Sequence, residues 1–125
     1  MSAQLTHVLF FSGDVPALAD WYRQVLAIDP VLQGTEYAEL PAGQAILSIF
    51  ERSRQNELAP GSAEAGVNRN SIVEFRLADV DAEFRRLLPL GLEWVKPPTT
   101  QPLGNRSAYP RDPEGNLVSL DSRAD

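Results

Sequence analysis

Two stretches of the chain alternate apolar and polar positions and then change to a helical spacing. In residues 5–11, Val8 and Phe10 fall on one side and His7, Leu9 and Phe11 on the other. A period of two predicts a strand. In residues 72–77, Val73, Phe75 and Leu77 make one face and Ile72, Glu74 and Arg76 the other. An aspartate follows each run, Asp14 or Asp79, where a side-chain oxygen can cap the first free N–H groups of a helix. Leu18, Tyr22, Val25 and Leu26 then recur at helical spacing over 15–27, with Pro16 in the first turn. Val80, Phe84, Leu87 and Leu88 do the same over 80–88. Pro30 closes the first helical region, and Pro89 with Gly91 the second. Shorter strands are expected near 31–40, 45–51, 92–96, 106–111 and 116–121.

The two stretches are copies of one unit. At an offset of 65, His7 falls on Ile72, Phe10 on Phe75, Asp14 on Asp79 and Val15 on Val80. At an offset of 71, "AILSIFER" falls on "NLVSLDSR", so that Ser48 meets Ser119 and Arg52 meets Arg123. The pattern predicts an α+β chain of two βαβββ modules, 5–51 and 71–121, within a single domain spanning 1–125. Residues 52–70 are polar, rich in Pro, Gly, Ser and Ala, and carry no consistent period. They read as a linker. Asp112-Pro113-Glu114-Gly115 has the residue order of a type I turn joining the last two strands. Pro110 removes a ladder donor just before it and suggests an edge strand or a strand end.

Composition narrows the functional classes. Apolar residues at 43% against 22% charged indicate a globular domain. A net charge of −6 argues against nucleic acid or an anionic membrane surface as partner. Without cysteine there is no disulfide, thiolate nucleophile or zinc–sulfur site. The start "MSAQLTHVLFF" lacks a basic segment before a long apolar core, and no apolar run has the length of a membrane span. A cytoplasmic protein is expected. No phosphate-binding glycine loop with a following lysine occurs, and no Gly-x-Ser-x-Gly elbow.

Three segments, "THVLFFSGDVPALADWYRQVLA", "VEFRLADVDAEFRRLLPLGL" and "PLGNRSAYPRDPEGNLVSL", together with the duplication, resemble the vicinal-oxygen-chelate superfamily. That superfamily includes glyoxalase I, extradiol dioxygenases, and fosfomycin- and bleomycin-resistance proteins. The resemblance implies two half-shells of curved mixed sheet, helices outside, closing into a cup around a ligand, within one chain or by exchange in a homodimer. In metal-dependent members a His or Gln comes early in each module and a Glu late. Carried over, the early positions are His7 and Ile72 and the late ones Ser48 and Ser119. A serine hydroxyl brings neither negative charge nor a soft donor to a divalent cation.

The expected function is therefore metal-independent binding or sequestration of a small organic ligand by a homodimer, with no cofactor. His7, Phe11, Ser48, Glu74, Arg76, Ser107, Tyr109 and Ser119 are the expected ligand-contacting residues. Glu74 and Arg76 share the strand face opposite Val73 and Phe75, so in a closed cup they would select a polar ligand. Phe11, Phe50 and Trp94 are candidates for aromatic walls or for core. The alternative is a glyoxalase-like lyase or isomerase, or a dioxygenase-type enzyme. It would place a divalent metal ion on His7 and Glu74 or, without metal, use Glu74 as base.

Overall fold

A computed structural model describes residues 2–124. The chain forms two compact units, one ending at Ala65 and the other beginning at Gly66. The first contains β1 (His7–Ser12), α1 (Val15–Leu26), β2 (Val31–Gln33), β3 (Tyr37–Ala42), β4 (Ala45–Glu51) and α2 (Arg52–Leu58). Its sheet runs in the order β1-β4-β3-β2, with β1 parallel to β4 and the other pairs antiparallel. The second contains β5 (Ile72–Arg76), α3 (Val80–Leu87), a single 3-10 turn (Leu88–Leu90), β6 (Glu93–Thr100), β7 (Asn105–Arg111) and β8 (Leu117–Arg123). Its sheet repeats the plan, β5-β8-β7-β6, with β5 parallel to β8. The expected α+β architecture, βαβββ twice, is present. No helix among the described residues is long and apolar enough to cross a membrane.

Helix boundaries follow the capping residues. Asp14 accepts a hydrogen bond from the Ala17 N–H and Asp79 one from Ala82, each at 3.1 Å, so the duplicated aspartates do the same work. The first helix ends as Ala27 turns left-handed, φ 56°. With 12 residues α1 is at the margin of stability for an isolated helix, so packing must hold it. Val15, Leu18, Tyr22 and Val25 are buried, as are Phe10, Ala38, Leu40, Leu47 and Ile49 of the sheet. Phe10 stacks on Tyr22 with ring centroids 6.3 Å apart. At roughly 1.5–3 kcal/mol per large apolar side chain buried, these contacts outweigh any local helix preference.

The second unit repeats this packing with fewer apolar residues and more polar clasps. Val80 and Leu87 of α3 are buried, as are Ala108, Val118 and Leu120. Phe84 meets Trp94 edge-on at 4.7 Å, which puts Trp94 in the helix–sheet layer rather than in any ligand wall. Arg106 grips Asp81 of α3 through two hydrogen bonds of 2.7 and 3.0 Å. The Ser122 hydroxyl accepts from the Val80 N–H at 3.1 Å.

Three features depart from the sequence reading. The apolar stretch 31–40 forms two strands, broken by a turn in which Gly34 adopts φ 64°. The segment read as linker begins with α2, none of whose residues is buried. Polar contacts hold it: Arg54 pairs with Glu57 at 2.8 Å and Glu36 at 3.1 Å. The Asn56 side chain exchanges two hydrogen bonds with the Ala63 backbone. Pro110 lies in an interior strand, one residue from its end, opposite Trp94 and beside a register shift in β6. The outer strand β6 itself carries Pro97 and Pro98.

The turn at 112–115 closes as expected, with Gly115 N–H on the Asp112 carbonyl at 2.9 Å and Gly115 at φ 88°. The buried Asp112 carboxylate also accepts from the Glu114 and Asn116 N–H groups and from the Asn116 amide, at 2.8–2.9 Å. Asp112→Ala strands these donors and is expected to cost about 2–3 kcal/mol in urea denaturation. Asp112→Asn, which keeps an acceptor, is expected to cost less.

Candidate functional site

Because α1 covers the side of the first sheet that carries Phe10, Leu47 and Ile49, strand alternation assigns His7, Leu9, Phe11, Ile46, Ser48, Phe50, Tyr37 and Glu39 to the opposite side. The register arranges them in rows. Leu9, Ser48, Glu39 and Val31 lie side by side across β1, β4, β3 and β2, and Phe11, Phe50, Tyr37 and Gln33 form the next row.

A hydrogen-bonded bridge spans these rows. Tyr37 donates its hydroxyl to Glu39 Oε2 at 2.7 Å. His7 Nε2 lies 3.2 Å from the same oxygen. The Ser48 Oγ lies 3.1 Å from the Tyr37 hydroxyl. His7, registered with Ile46, and Glu39, registered with Ser48, belong to strands on either side of β4, so their side chains meet diagonally across it, past the small, fully buried Ser48. A carboxylate at 48 would fill that space and set a like charge beside Glu39. The Tyr37 hydroxyl holds the Glu39 carboxyl below the usual carboxylate range, with a smaller contribution from His7, against an opposing effect of burial. Burial first, and the Glu39 carboxylate after it, push the Tyr37 phenol upward, partly offset by Ser48. His7 Nδ1 lies 3.0 Å from the Thr6 hydroxyl, so both ring nitrogens have partners.

On the second sheet the side opposite α3 carries Glu74, Arg76, Ser107, Tyr109, Ser119 and Asp121. Ser119 is fully buried and donates its hydroxyl to Glu74 Oε1 at 3.1 Å. Arg76 forks onto Asp121 at 3.2 and 3.3 Å. Asn105 Nδ2 donates to Asp121 Oδ2 and to the buried Ser107 hydroxyl, each at 3.1 Å. Glu74 and Arg76 are themselves exposed, whereas Asp121 is only 2% exposed. The buried carboxylate is thus paired and hydrogen-bonded, as burial requires.

The eight expected site residues therefore divide between the two sheets, all on the sides turned from the helices. Tyr37, Glu39, Asn105 and Asp121 join them without having been singled out in the sequence. Tyr37 and Glu39 alternate with the buried Ala38 and Leu40, so their strand face was legible, but which neighbours they would meet depended on the β3–β4 register.

The four positions that the resemblance marks for metal ligands hold one imidazole, His7, two hydrogen-bonded hydroxyls, Ser48 and Ser119, and the alkyl side chain of Ile72. Among the described residues no three His, Cys, Asp or Glu side chains converge as a metal-binding group.

The sequence profile of the Glyoxalase/Bleomycin resistance protein/Dioxygenase superfamily matches residues 4–120. This chain belongs to that superfamily. A glyoxalase/bleomycin resistance protein/dioxygenase family enzyme from Burkholderia phytofirmans PsJN superposes with a TM-score of 0.83 at 19% identity, covering 97% of this chain and 99% of that one. A lactoylglutathione lyase from Agrobacterium tumefaciens superposes with a TM-score of 0.71 at 21% identity, covering 97% and 94%. At such identities the likeness is one of fold. TioX from Micromonospora sp. ML1 is similar at 25% identity and a TM-score of 0.74, covering 97% and 99%. No curated protein matches the sequence.

The bridge on the first sheet has a pH signature. A carboxyl whose pKa is lowered by folding adds stability above its unfolded pKa, and that stability is lost as pH falls through the folded value. Tyr37→Phe removes the chief cause, so an NMR titration is expected to find the Glu39 pKa raised toward the ordinary range. Urea denaturation at a series of acidic pH values is expected to show less acid loss in the variant than in the wild type.

Proposed function

We propose that this protein is a metal-independent small-molecule binding protein of its superfamily, which holds or sequesters an organic ligand rather than transforming it at a bound cation. The observation that carries the reading is the chemistry at the four ligand positions. His7 is held between Thr6 and Glu39, Ser48 and Ser119 are hydrogen-bonded hydroxyls, and Ile72 has no donor atom. A catalytic divalent site needs about three protein donors plus an open position, and this set supplies one imidazole.

The residues that would contact a ligand are His7, Phe11 and Ser48 on the first sheet, and Glu74, Arg76, Ser107, Tyr109 and Ser119 on the second. The half-buried aromatic rings of the first sheet give apolar contact. On each sheet taken by itself a polar cluster gives orientation, since Glu39 on the first and Asp121 on the second are already fixed by partners and lose little freedom when a ligand group arrives. The ligand is best matched to mixed polarity, with an apolar body and a few hydrogen-bonding groups.

Metal analysis and a thermal-shift screen of small organic compounds test this reading together. Protein purified without chelators is expected to contain no stoichiometric divalent metal and to behave the same as His7→Ala in that respect. At least one compound class is expected to raise the melting temperature, because a ligand that binds only the folded state stabilises it. Stoichiometric metal that disappears in His7→Ala would overturn the proposal in favour of a lyase- or isomerase-type enzyme. A screen in which no compound class shifts the transition would remove the binding role.

A further inference from the structure

We infer that the side of the first sheet turned away from α1 recognises an organic cation, an amine or quaternary ammonium attached to an apolar body, with Glu39 as its counter-charge. The inference rests on the binding reading above and names the ligand class.

The bridge that holds Glu39 uses only one of its oxygens. Tyr37 and His7 both lie against Oε2, at 2.7 and 3.2 Å, so neither donor is spent on Oε1. The Glu39 side chain keeps 27% of its surface exposed, enough for a ligand group to reach it. Tyr37 favours the charged carboxylate by donating to it. The group is thus a fixed anion, partly accessible, with an oxygen to spare.

Its surroundings suit a cation better than any other partner. Tyr37 and Phe50 meet edge to face with centroids 6.1 Å apart, and Phe11 stands opposite Phe50 across the β1–β4 pair. These rings are half-buried rather than enclosed, so part of their surface is accessible. Aromatic faces carry negative quadrupole density and attract cations, most strongly where water is partly excluded. A carboxylate beside such rings therefore offers a cation charge and ring contact together. A neutral alcohol gains a hydrogen bond but no charge. An anion is repelled by Glu39 and by the overall charge of −6. Ser48 permits the arrangement, because a larger residue there would separate His7 from Glu39.

Three probes of similar size separate these cases: benzyltrimethylammonium, benzyl alcohol and phenylacetate, titrated into the full chain by calorimetry at low salt. Benzyltrimethylammonium is expected to bind roughly ten-fold more tightly than benzyl alcohol, with phenylacetate weakest. Glu39→Gln retains an acceptor for Tyr37 and His7, and is expected to remove that preference while circular dichroism reports an unchanged fold. Phe50→Leu leaves the carboxylate in place and is expected to weaken the cation more than the alcohol. Equal affinities in the wild type, or a preference unaltered in Glu39→Gln, would overturn the inference. Binding of benzyl alcohol or phenylacetate without cation preference overturns the ligand class while the binding role stands. Failure of all three probes overturns it as well, whereas the binding role falls only with an empty compound screen.

Discussion

Each sheet of this protein has one side sealed by its own helix, and strand alternation then dictates what the other side must be. Once α1 covers Phe10, Leu47 and Ile49, the residues between them face away from that core. On the sides of the two sheets turned from the helices, several polar residues are buried even so. Ser48, Ser107, Ser119 and Asp121 have almost no exposed surface, and a buried polar group without a partner costs more than a single hydrogen bond gains. Their partners are consequently local and specific. Ser48 meets Tyr37, Ser119 meets Glu74, Ser107 meets Asn105, and Asp121 meets Arg76 and Asn105. The chemistry of the two open sides follows from this need for partners.

The duplicated modules reach similar ends by different residues. Ser48 and Ser119 occupy matching places, and both lead to a carboxylate. In the first sheet the carboxylate is Glu39 on β3, reached through Tyr37; in the second it is Glu74 on β5, directly bonded. His7 and Ile72 differ in the same way. The imidazole of His7 closes a bridge over β4 that Ile72 cannot imitate. His7, Ser48 and Ser119 are thus each committed to a hydrogen bond within their own sheet, and Ile72 has no polar atom to commit.

Much of the fold was legible because it rests on local signals. Asp14 and Asp79 stopped their strands and started their helices, and the prolines and Gly91 marked the far ends. The apolar stripes of α1 and α3 and the offset between His7 and Ile72 fixed the βαβββ plan. α2 escaped because it buries nothing, and a helix held by Arg54, Glu36, Glu57 and the Asn56 side chain leaves no periodic apolar trace. The break in 31–40 depended on one glycine. The strand faces of the candidate residues were visible: alternation put Glu74, Arg76, Ser119 and His7 opposite the apolar core faces, where the structure also has them. Glu39, Tyr37 and Asp121 acquired meaning only through strand register, a long-range property that composition and spacing do not encode.

The prolines of β6 have a consequence for how the folded chain behaves in a crowded solution. An outermost strand ordinarily presents a row of N–H groups onto which a foreign strand can zip. Pro97 and Pro98 have no such hydrogen to offer, and the ladder to β7 is itself irregular at that point. The β6 rim of the second sheet is therefore a poor template for growth, and β2, at one rim of the first, is only three residues long. Replacing those two imino acids with valines would lengthen the sticky stretch of backbone and make that rim a better template for a foreign strand.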